Sequence, residues 1–176
     1  ISLKNAKGRF IAFCDSDDKW KPNKLKKQIE FMLINNASFV YSNYEVVNEK
    51  GKYLFAIKSP KSISYRKMLL NDYIGFLTVI YDTNIIPKLY MPEIRKRQDW
   101  AYKLALLKKI DKGYNTREFL AIYRKRQSSI SSNKLKLIKY NWLVFYKVEG
   151  YSGITSIFLL IRFIIFYFLK TFFNYR

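Results

Sequence analysis

A short apolar run that stops at a cluster of acids is the feature of this sequence that most restricts its fold. Residues 9–14 form the run. Asp15, Asp17 and Asp18 follow it directly, so three of the chain's 13 acids lie within four residues. An apolar run of this length that ends at a polar turn is typical of a buried strand. The fold is therefore expected to contain a β-sheet, with an acidic turn at the end of one strand.

Strand and helix patterns alternate along the rest of the chain. Trp20 and Pro22 are expected to open a helix whose apolar residues recur at helical spacing and form its buried side. These apolar residues are Leu25, Ile29, Met32 and Leu33. The further expected elements are a hairpin of Phe39–Val47 and Tyr53–Ile57 turning at Gly51, a helix near 64–70, a strand at 76–81, a helix at 98–112 stopped by Gly113, and a strand at 119–123. This alternation predicts an α/β or mixed α+β architecture.

The composition excludes several kinds of site. Lys and Arg total 33, which gives a formal charge of +20, and histidine is absent. The charge favours polyanions such as phosphates, nucleic acid or acidic lipid, although a general bias of the genome toward Lys explains it equally well. Without histidine, serine–histidine hydrolases and histidine-ligated zinc sites are excluded. The one cysteine, Cys14, and the lack of an apolar signal segment near Lys4 fit a reducing, cytoplasmic setting.

The acidic turn has two interpretations. Clustered carboxylates repel one another unless a cation or hydrogen-bond donors offset the repulsion, and their hard oxygen atoms suit Mg²⁺ or Mn²⁺. A divalent ion at the end of a strand could hold a diphosphate and neutralise its charge as it leaves. The alternative is an Asp-rich turn that caps the following helix, since Asp and Ser are preferred at that position.

The sequence around this turn resembles the centre of family 2 glycosyltransferases. The segment NAKGRFIAFCDSDDKW at residues 5–20, followed by Pro22, Lys24 and Gln28, is similar to the family segment that carries the DxD motif. The resemblance implies an α/β fold, the C-terminal portion of a GT-A domain with a Rossmann-like mixed sheet. It also implies that Asp15 lies near the ribose of a nucleotide-sugar donor and that Asp17 is the principal metal ligand. Asp18 is then a secondary polar neighbour at the donor.

A second acid of the family pattern is Asp99, at the start of an expected helix. A carboxylate beside basic residues and in the field of a helix N-terminus tends to stay ionised, which suits a general base. Capping of the helix explains the same position. The sequence RQDW at 97–100 resembles the family's E-D-W/Y motif, whose Asp is the general base. Gln98 replaces the commoner Glu, so only Asp99 is carried over as the catalytic residue.

A basic segment near residue 126 resembles the family's late Y-R-x-H-x-x-S-x-S pattern. Arg124 matches the Arg of that pattern, and Arg126 takes the place of its His, with Ser128, Ser129 and Ser131 following. Both arginines could hold the diphosphate as it leaves. A solvated basic loop is the alternative. The implied reaction is a single displacement with inversion, in which the acceptor hydroxyl is deprotonated by Asp99.

Residues 134–176 are expected to form a helical, basic and aromatic tail beyond the partial glycosyltransferase domain at 1–133. The stretch 154–173 is nearly long enough to span a bilayer, but Arg162 lies in its middle. A helix lying on an anionic membrane surface is therefore favoured over a spanning one, and a helix docked on the protein's own core is a third possibility. The expected location is peripheral, on the cytoplasmic face of the cell membrane.

The expected substrates are a nucleotide-sugar donor and a saccharide or lipid-linked acceptor, in the synthesis of a cell-surface polysaccharide or lipopolysaccharide. Family members have further residues before the point that matches Ile1, so the chain is expected to lack part of the donor site. The alternative is an inactive truncated remnant or a non-catalytic module that binds a membrane surface. Nucleic acid is not an expected partner, because the basic residues are dispersed and no binding motif is present.

Overall fold

The computed structural model describes residues 2–126 and 134–174. Its strands are β1 (Phe10–Ala12), β2 (Lys19–Trp20), β3 (Phe39–Val47), β4 (Tyr53–Ile57), β5 (Ser62–Ile63), β6 (Ile80–Asp82) and β7 (Gly113–Arg124). Its helices are α1 (Ser2–Asn5), α2 (Lys24–Ile34), α3 (Tyr65–Met68), α4 (Gln98–Leu107), α5 (Lys134–Leu143) and α6 (Gly153–Asn174). A 3₁₀ turn at Phe76–Thr78 precedes β6, and a π-helical segment at Val144–Val148 continues α5.

The strands of the described residues form one mixed sheet. Its main order is β1-β6-β3-β7-β2, with β4 also beside β3 and β5 also beside β7. The central strands β3 and β7 run parallel, whereas the other pairs are antiparallel. The carboxyl ends of β3 and β7 therefore meet at one edge of the sheet, where ligands commonly bind in α/β proteins.

Helices cover both faces of the sheet, as the predicted α/β architecture requires. Successive side chains of a strand lie on opposite faces. Phe39 of β3 accordingly joins the larger core, with Trp100 of α4, while the next residue, Val40, joins a smaller cluster with Met32 of α2. The predicted hairpin of β3 and β4 is confirmed, and Gly51 has the positive φ of 83° that its turn needs.

The prediction for α2 was wrong about where the helix begins and partly wrong about which residues it buries, since Met32 is buried and Ile29 packs beside it as expected. Trp20 belongs to β2, and the helix begins at Lys24 rather than at Pro22. Its buried residues are Lys24, Gln28 and Met32. Leu25 and Leu33, expected inside, are 41% and 57% exposed. Polar contacts explain the rotation: the Gln28 side-chain amide donates to the Thr78 carbonyl at 2.8 Å, and the Lys24 ammonium lies 4.3 Å from the centre of the Trp20 ring.

Three predicted strand boundaries also differ from the structure. The first strand ends at Ala12, so Cys14 lies beyond it and is exposed. The stretch 76–81 is not one strand, because the carbonyl oxygens of Leu77 and Thr78 accept hydrogen bonds from the side chains of Trp20 and Gln28. The last strand is longer than residues 119–123 and begins at Gly113. The sequence pattern missed its first half because a left-handed residue, Arg117 (φ 63°), interrupts the alternation of side chains within β7.

Gly113 begins β7 and does not stop the preceding helix, which ends at Leu107. A Cβ atom at Gly113 would lie 2.3 Å from Cδ1 of Phe39 and 3.1 Å from its carbonyl oxygen. The glycine is therefore required by the close approach of β7 to β3, which sequence periodicity does not reveal.

The C-terminal helices pack on α4. The ring of Trp100 lies 5.3 Å from that of Phe145 in the π-helical segment and 4.7 Å from that of Phe163 in α6. Ser156, Leu159 and Phe163 form the buried side of α6. The structure thus places one side of α6 on the protein's own core. Within residues 2–126 and 134–174, no helix has the length and apolar character needed to cross a membrane.

Candidate active site at the carboxyl ends of the central strands

A cleft lies at the edge of the sheet where β3 and β7 end. It consists of two adjoining cavities of about 540 and 720 Å³, and Asp17, Asp18, Arg124 and Arg126 line both of them. The larger cavity is also lined by Asp15 and Asp99. Residues that are far apart in the sequence, in the acidic turn, at the start of α4 and at the end of β7, therefore share one cleft.

The acidic turn is fixed by its own backbone and by β7. The amide of Asp18 donates to the carbonyl oxygen of Asp15 at 3.0 Å, which closes a tight turn with Ser16 and Asp17 at its corner. The Oδ1 atom of Asp18 accepts a hydrogen bond from the amide of Arg124 at 3.0 Å. The carboxylate of Asp18 thereby ties the turn to the end of β7.

Burial makes Asp18 a weaker acid than an ordinary aspartate. The side chain is largely buried, and burial raises its pKa to about 6, with a smaller rise from the charges of Asp15 and Asp17 and an opposing effect of the Arg124 amide. Burial also raises the pKa of Asp15, and the charges of Asp17 and Asp99 add to the rise. The acidic turn thus concentrates negative charge, which a cation would relieve.

Two arginines flank Asp17. The Nε atom of Arg126 lies 3.0 Å from Oδ2 of Asp17, and the Nε atom of Arg124 donates to the carbonyl oxygen of Asp17 at 3.1 Å. Arg124 also donates to the carbonyl oxygen of Glu49, after β3, at 2.7 Å. The structure thus brings both predicted arginines to the acidic turn. Ser128, Ser129 and Ser131 lie outside the described residues.

Asp99 lies in the first turn of α4 and lines the larger cavity together with Arg124. Its side chain is 44% exposed, and its Oδ2 atom lies 3.7 Å from the ammonium of Lys103. The residue before the helix, Arg97, has a left-handed backbone with a φ of 66°. Asp99 is accessible from the cleft and has a cation on its core side, which is an arrangement that suits a base.

Lys103 is a residue of the site that sequence reasoning missed. It is fully buried, and its ammonium lies 2.6 Å from Oδ1 of Asp72 and 2.6 Å from the carbonyl oxygen of Ile74. Asp72 and Ile74 both line the larger cavity. The spacing of four residues between Asp99 and Lys103 was the one available signal, but such a pair is usual on exposed helix surfaces.

The carboxylates of the turn fit a metal ion that is shared with a substrate, and they do not fit a metal site made of protein ligands alone. Within the parts of the chain that the structure describes, no group of three or more Asp, Glu, Cys or His side chains is placed to hold a metal ion. Asp18 is engaged with the Arg124 amide, which leaves Asp15 and Asp17 as exposed or half-exposed carboxylates. Mg²⁺ commonly binds through one or two carboxylates together with substrate phosphates. The residues therefore fit an ion that is held jointly with a bound diphosphate.

The sequence is similar to those of bacterial glycosyltransferases. The chain is 44% identical over 149 residues to TuaG of Bacillus subtilis (strain 168), named as a teichuronic acid biosynthesis glycosyltransferase, covering 84% of this chain and 59% of TuaG. It is 44% identical over 145 residues to WfgD of Escherichia coli, a UDP-Glc:α-D-GlcNAc-diphosphoundecaprenol β-1,3-glucosyltransferase, covering 80% of this chain and 55% of WfgD. The chain thus spans less than two thirds of the length of these relatives.

The fold is also found in a solved structure. Residues 1–349 of S. aureus TarS in complex with UDP-GlcNAc superpose with a TM-score of 0.61 at 17% identity, over 97% of this chain and 52% of that one. This likeness supports a GT-A fold for the mixed sheet. The family model for glycosyl transferase family 2 matches residues 1–126, from α1 through β7 to the two arginines. The chain belongs to glycosyltransferase family 2.

Proposed function

We propose that this chain supplies the acidic turn and the general base of an inverting glycosyltransferase that moves a sugar from a nucleotide diphosphate to an acceptor hydroxyl. The observation that carries the proposal is that Asp15, Asp17 and Asp99 line one cavity with Arg124 and Arg126. The names of TuaG and WfgD support a role in the synthesis of a cell-surface polysaccharide, and the name of WfgD supports a UDP-sugar donor.

At the donor end, the arginines act on the diphosphate. Arg124 and Arg126 carry permanent charges beside the acidic turn, and guanidinium groups bind phosphate oxygens with two parallel hydrogen bonds. They would stabilise the negative charge that develops on the diphosphate as it leaves. Asp15 and Asp17 would hold Mg²⁺ or Mn²⁺, which, when bound, supplies further positive charge to the same diphosphate.

At the acceptor end, Asp99 accepts the proton. Its half-exposed carboxylate lines the cleft, where it can reach an acceptor hydroxyl, and the ammonium of Lys103 lies 3.7 Å from its Oδ2 atom. A hydroxyl deprotonated by Asp99 would attack the anomeric carbon on the face opposite the leaving diphosphate. A single displacement of this kind inverts the anomeric configuration.

A lipid-linked diphosphate sugar is the acceptor that the surroundings of Asp99 favour. Arg95, Lys96 and Arg97 line the larger cavity and precede Asp99 in the sequence with only Gln98 between, and they are separate in sequence from the arginines at the end of β7. These three cations would bind the acceptor's own diphosphate. The name of WfgD specifies an acceptor of this class, GlcNAc-diphosphoundecaprenol.

Such an acceptor places the enzyme at a membrane, and α6 has the matching surface. On the side away from the core it exposes a row of large apolar residues at helical spacing: Ile154, Ile157, Phe158, Ile161, Ile165 and Phe168. From Lys134 onward the sequence carries seven basic residues and one acid. We expect α6 to lie in the plane of an anionic membrane surface, at the cytoplasmic face, with this row in the lipid.

The decisive experiment compares two Asp→Asn variants in the complete protein. With UDP-glucose and a GlcNAc diphosphate bearing a short alkyl chain, Asp99→Asn should lower kcat by about 100-fold or more, because the base is lost. UDP binding, measured by calorimetry, should not change. Asp111→Asn is the matched control, since Asp111 is exposed and lies beyond the end of α4; its kcat should equal that of the unmodified protein. The anomeric configuration of the product, read by NMR, tests inversion.

Wild-type transfer by Asp99→Asn would contradict the assignment of the base. Asp17→Asn separates the donor role from the base: it should weaken UDP binding in the presence of Mn²⁺. Full activity of Asp17→Asn would exclude the metal role.

A non-catalytic module that binds a membrane surface is the second candidate, favoured by the exposed apolar side of α6. It predicts binding to anionic vesicles together with no transfer and no Mn²⁺-dependent UDP binding. The two candidates therefore differ in measurements made on the same preparation.

A further inference from the structure

We propose that α6 positions the catalytic helix: Phe163 packs on Trp100 and thereby holds the first turn of α4, with Asp99, in place beneath the cleft. This inference rests on the proposed function, because it gives α6 a task in the reaction of Asp99 in addition to its contact with lipid. Phe163 is a positioning residue, since it touches neither the cavity nor Asp99 in the contacts described above.

The contacts of Trp100 carry the first step of the argument. Trp100 directly follows Asp99 and is fully buried. Its Nε1 atom donates to the carbonyl oxygen of Met68 at 3.0 Å, and its ring lies 4.7 Å from Phe163 and 5.3 Å from Phe145. The residue next to the base is therefore fixed on its core side by three partners, two of which belong to the C-terminal helical region.

The backbone at the start of α4 carries the second step. Arg97 has a left-handed conformation (φ 66°), which is unfavourable for a residue with a side chain. Its guanidinium carbon lies 5.9 Å from the centre of the Phe163 ring. Within the described residues, its Nε atom is buried and has no hydrogen-bond partner. A strained helix start of this kind persists only where its surroundings hold it, and Phe163 is part of those surroundings.

The two sides of α6 carry the third step. Phe163 is 2% exposed, whereas Phe158, five residues earlier on the same helix, is 59% exposed. One side of the helix thus reaches the turn that holds Asp99, and the other side faces outward with the row proposed to enter lipid. Since a rigid helix joins the two contacts, α6 sets the position of the base relative to the membrane surface in which the acceptor lies.

The test compares phenylalanine substitutions on the two sides of α6 in the complete protein. In lipid-free buffer with the donor and short-chain acceptor used above, Phe163→Ala should lower kcat by at least about tenfold, because small displacements of a base have large effects on rate. The affinity for UDP and the fraction of the protein that binds UDP should both stay unchanged. Binding to phosphatidylcholine/phosphatidylglycerol vesicles should also stay unchanged. Phe158→Ala should weaken vesicle binding and retain a higher kcat than Phe163→Ala. Tyr53→Ala, at an exposed aromatic position on β4, should change neither.

A wild-type kcat in Phe163→Ala would overturn the proposal, while leaving the proposed function intact as long as Asp99→Asn is inactive. Phe163→Leu covers the case in which Phe163→Ala does not fold, since leucine keeps the site apolar. It should partly restore kcat relative to alanine, or, if only Phe163→Leu folds, show a kcat below that of the unmodified protein. A wild-type kcat in Phe163→Leu beside an unfolded Phe163→Ala would show a purely structural role and reject the proposal. Equal activity of Asp99→Asn and the unmodified protein would instead reject the proposed function.

Discussion

Lys24 is a charged residue in the core whose ammonium has no hydrogen-bond acceptor among the described residues. It lies over the ring of Trp20, just behind the acidic turn. A cation–π contact compensates only part of the cost of burying an ammonium group. Burial accordingly lowers the pKa of Lys24 to about 8, and the nearby Cys14 opposes the shift only weakly. The residue therefore has a definite effect on how stability changes with pH.

We expect Lys24→Met to stabilise the protein at pH 7 by about 1 to 3 kcal/mol, because methionine keeps the apolar stem and removes the buried charge. The folded protein releases the proton of Lys24 at about pH 8, whereas the unfolded chain keeps it up to about 10.5. Stability of the unmodified protein should thus rise with pH between these values, and the advantage of the variant should shrink. Urea unfolding of the unmodified protein and of Lys24→Met, at pH 7 and at pH 10, measures the two stabilities and their difference. An advantage that does not change with pH would argue against a charged Lys24.

The candidate site shows what single residues in a sequence can and cannot reveal. The acids and arginines were predicted from motifs, and the structure places all of them in one cleft, although their roles stay predictions. Lys103 and Asp72 were not predicted, because a lone lysine is normally a surface residue and its burial depends on the fold.

At the scale of secondary structure, elements with local signals were predicted well. The hairpin of β3 and β4 follows from the turn at Gly51, and α3 has the capping side chain of Ser64 at its start. Features that depend on contacts between distant segments of the chain were predicted less well. The buried side of α2 depends on the Thr78 carbonyl, and the true start of β7 depends on the approach of Phe39 to Gly113. Such contacts join residues that are distant in sequence, and periodicity carries no information about them.

The approach of β7 to β3 can be tested at Gly113. We expect Gly113→Ala to destabilise the protein by about 1 to 3 kcal/mol, since the new methyl group would meet both the ring and the backbone of Phe39. Gly153→Ala is the matched control, because nothing lies within 4 Å of the position of its Cβ atom. Urea midpoints of the two variants give the comparison, and equal midpoints would mean that β7 can move away from Phe39 without loss.

At the scale of the whole molecule, the formal charge of +20 and the exposed side of α6 predict a mixed mode of membrane binding. Binding to vesicles that contain phosphatidylglycerol should weaken strongly as NaCl rises from about 0.1 M to 1 M, because the screening length falls from about 10 Å to 3 Å. Binding to phosphatidylcholine vesicles should be weaker and nearly independent of salt. Flotation of both vesicle types measures this, and equal binding to the two would exclude a contribution from the basic residues.

The strand pairing also limits the length of the segment between β1 and β2. The two strands lie at opposite ends of the main strand order, four spacings apart. Through its neighbours, Ala12 is level with Val40. Lys19 is level with Glu45, about five residues further along β3. In a flat sheet the offset between Ala12 and Lys19 would be about 25 Å.

Seven Cα steps that include a tight turn reach only about 21 Å. The sheet must therefore curl to bring its two edges within reach of the segment that carries the three aspartates. The length of this segment is therefore constrained by the curvature of the sheet as well as by the chemistry of its carboxylates.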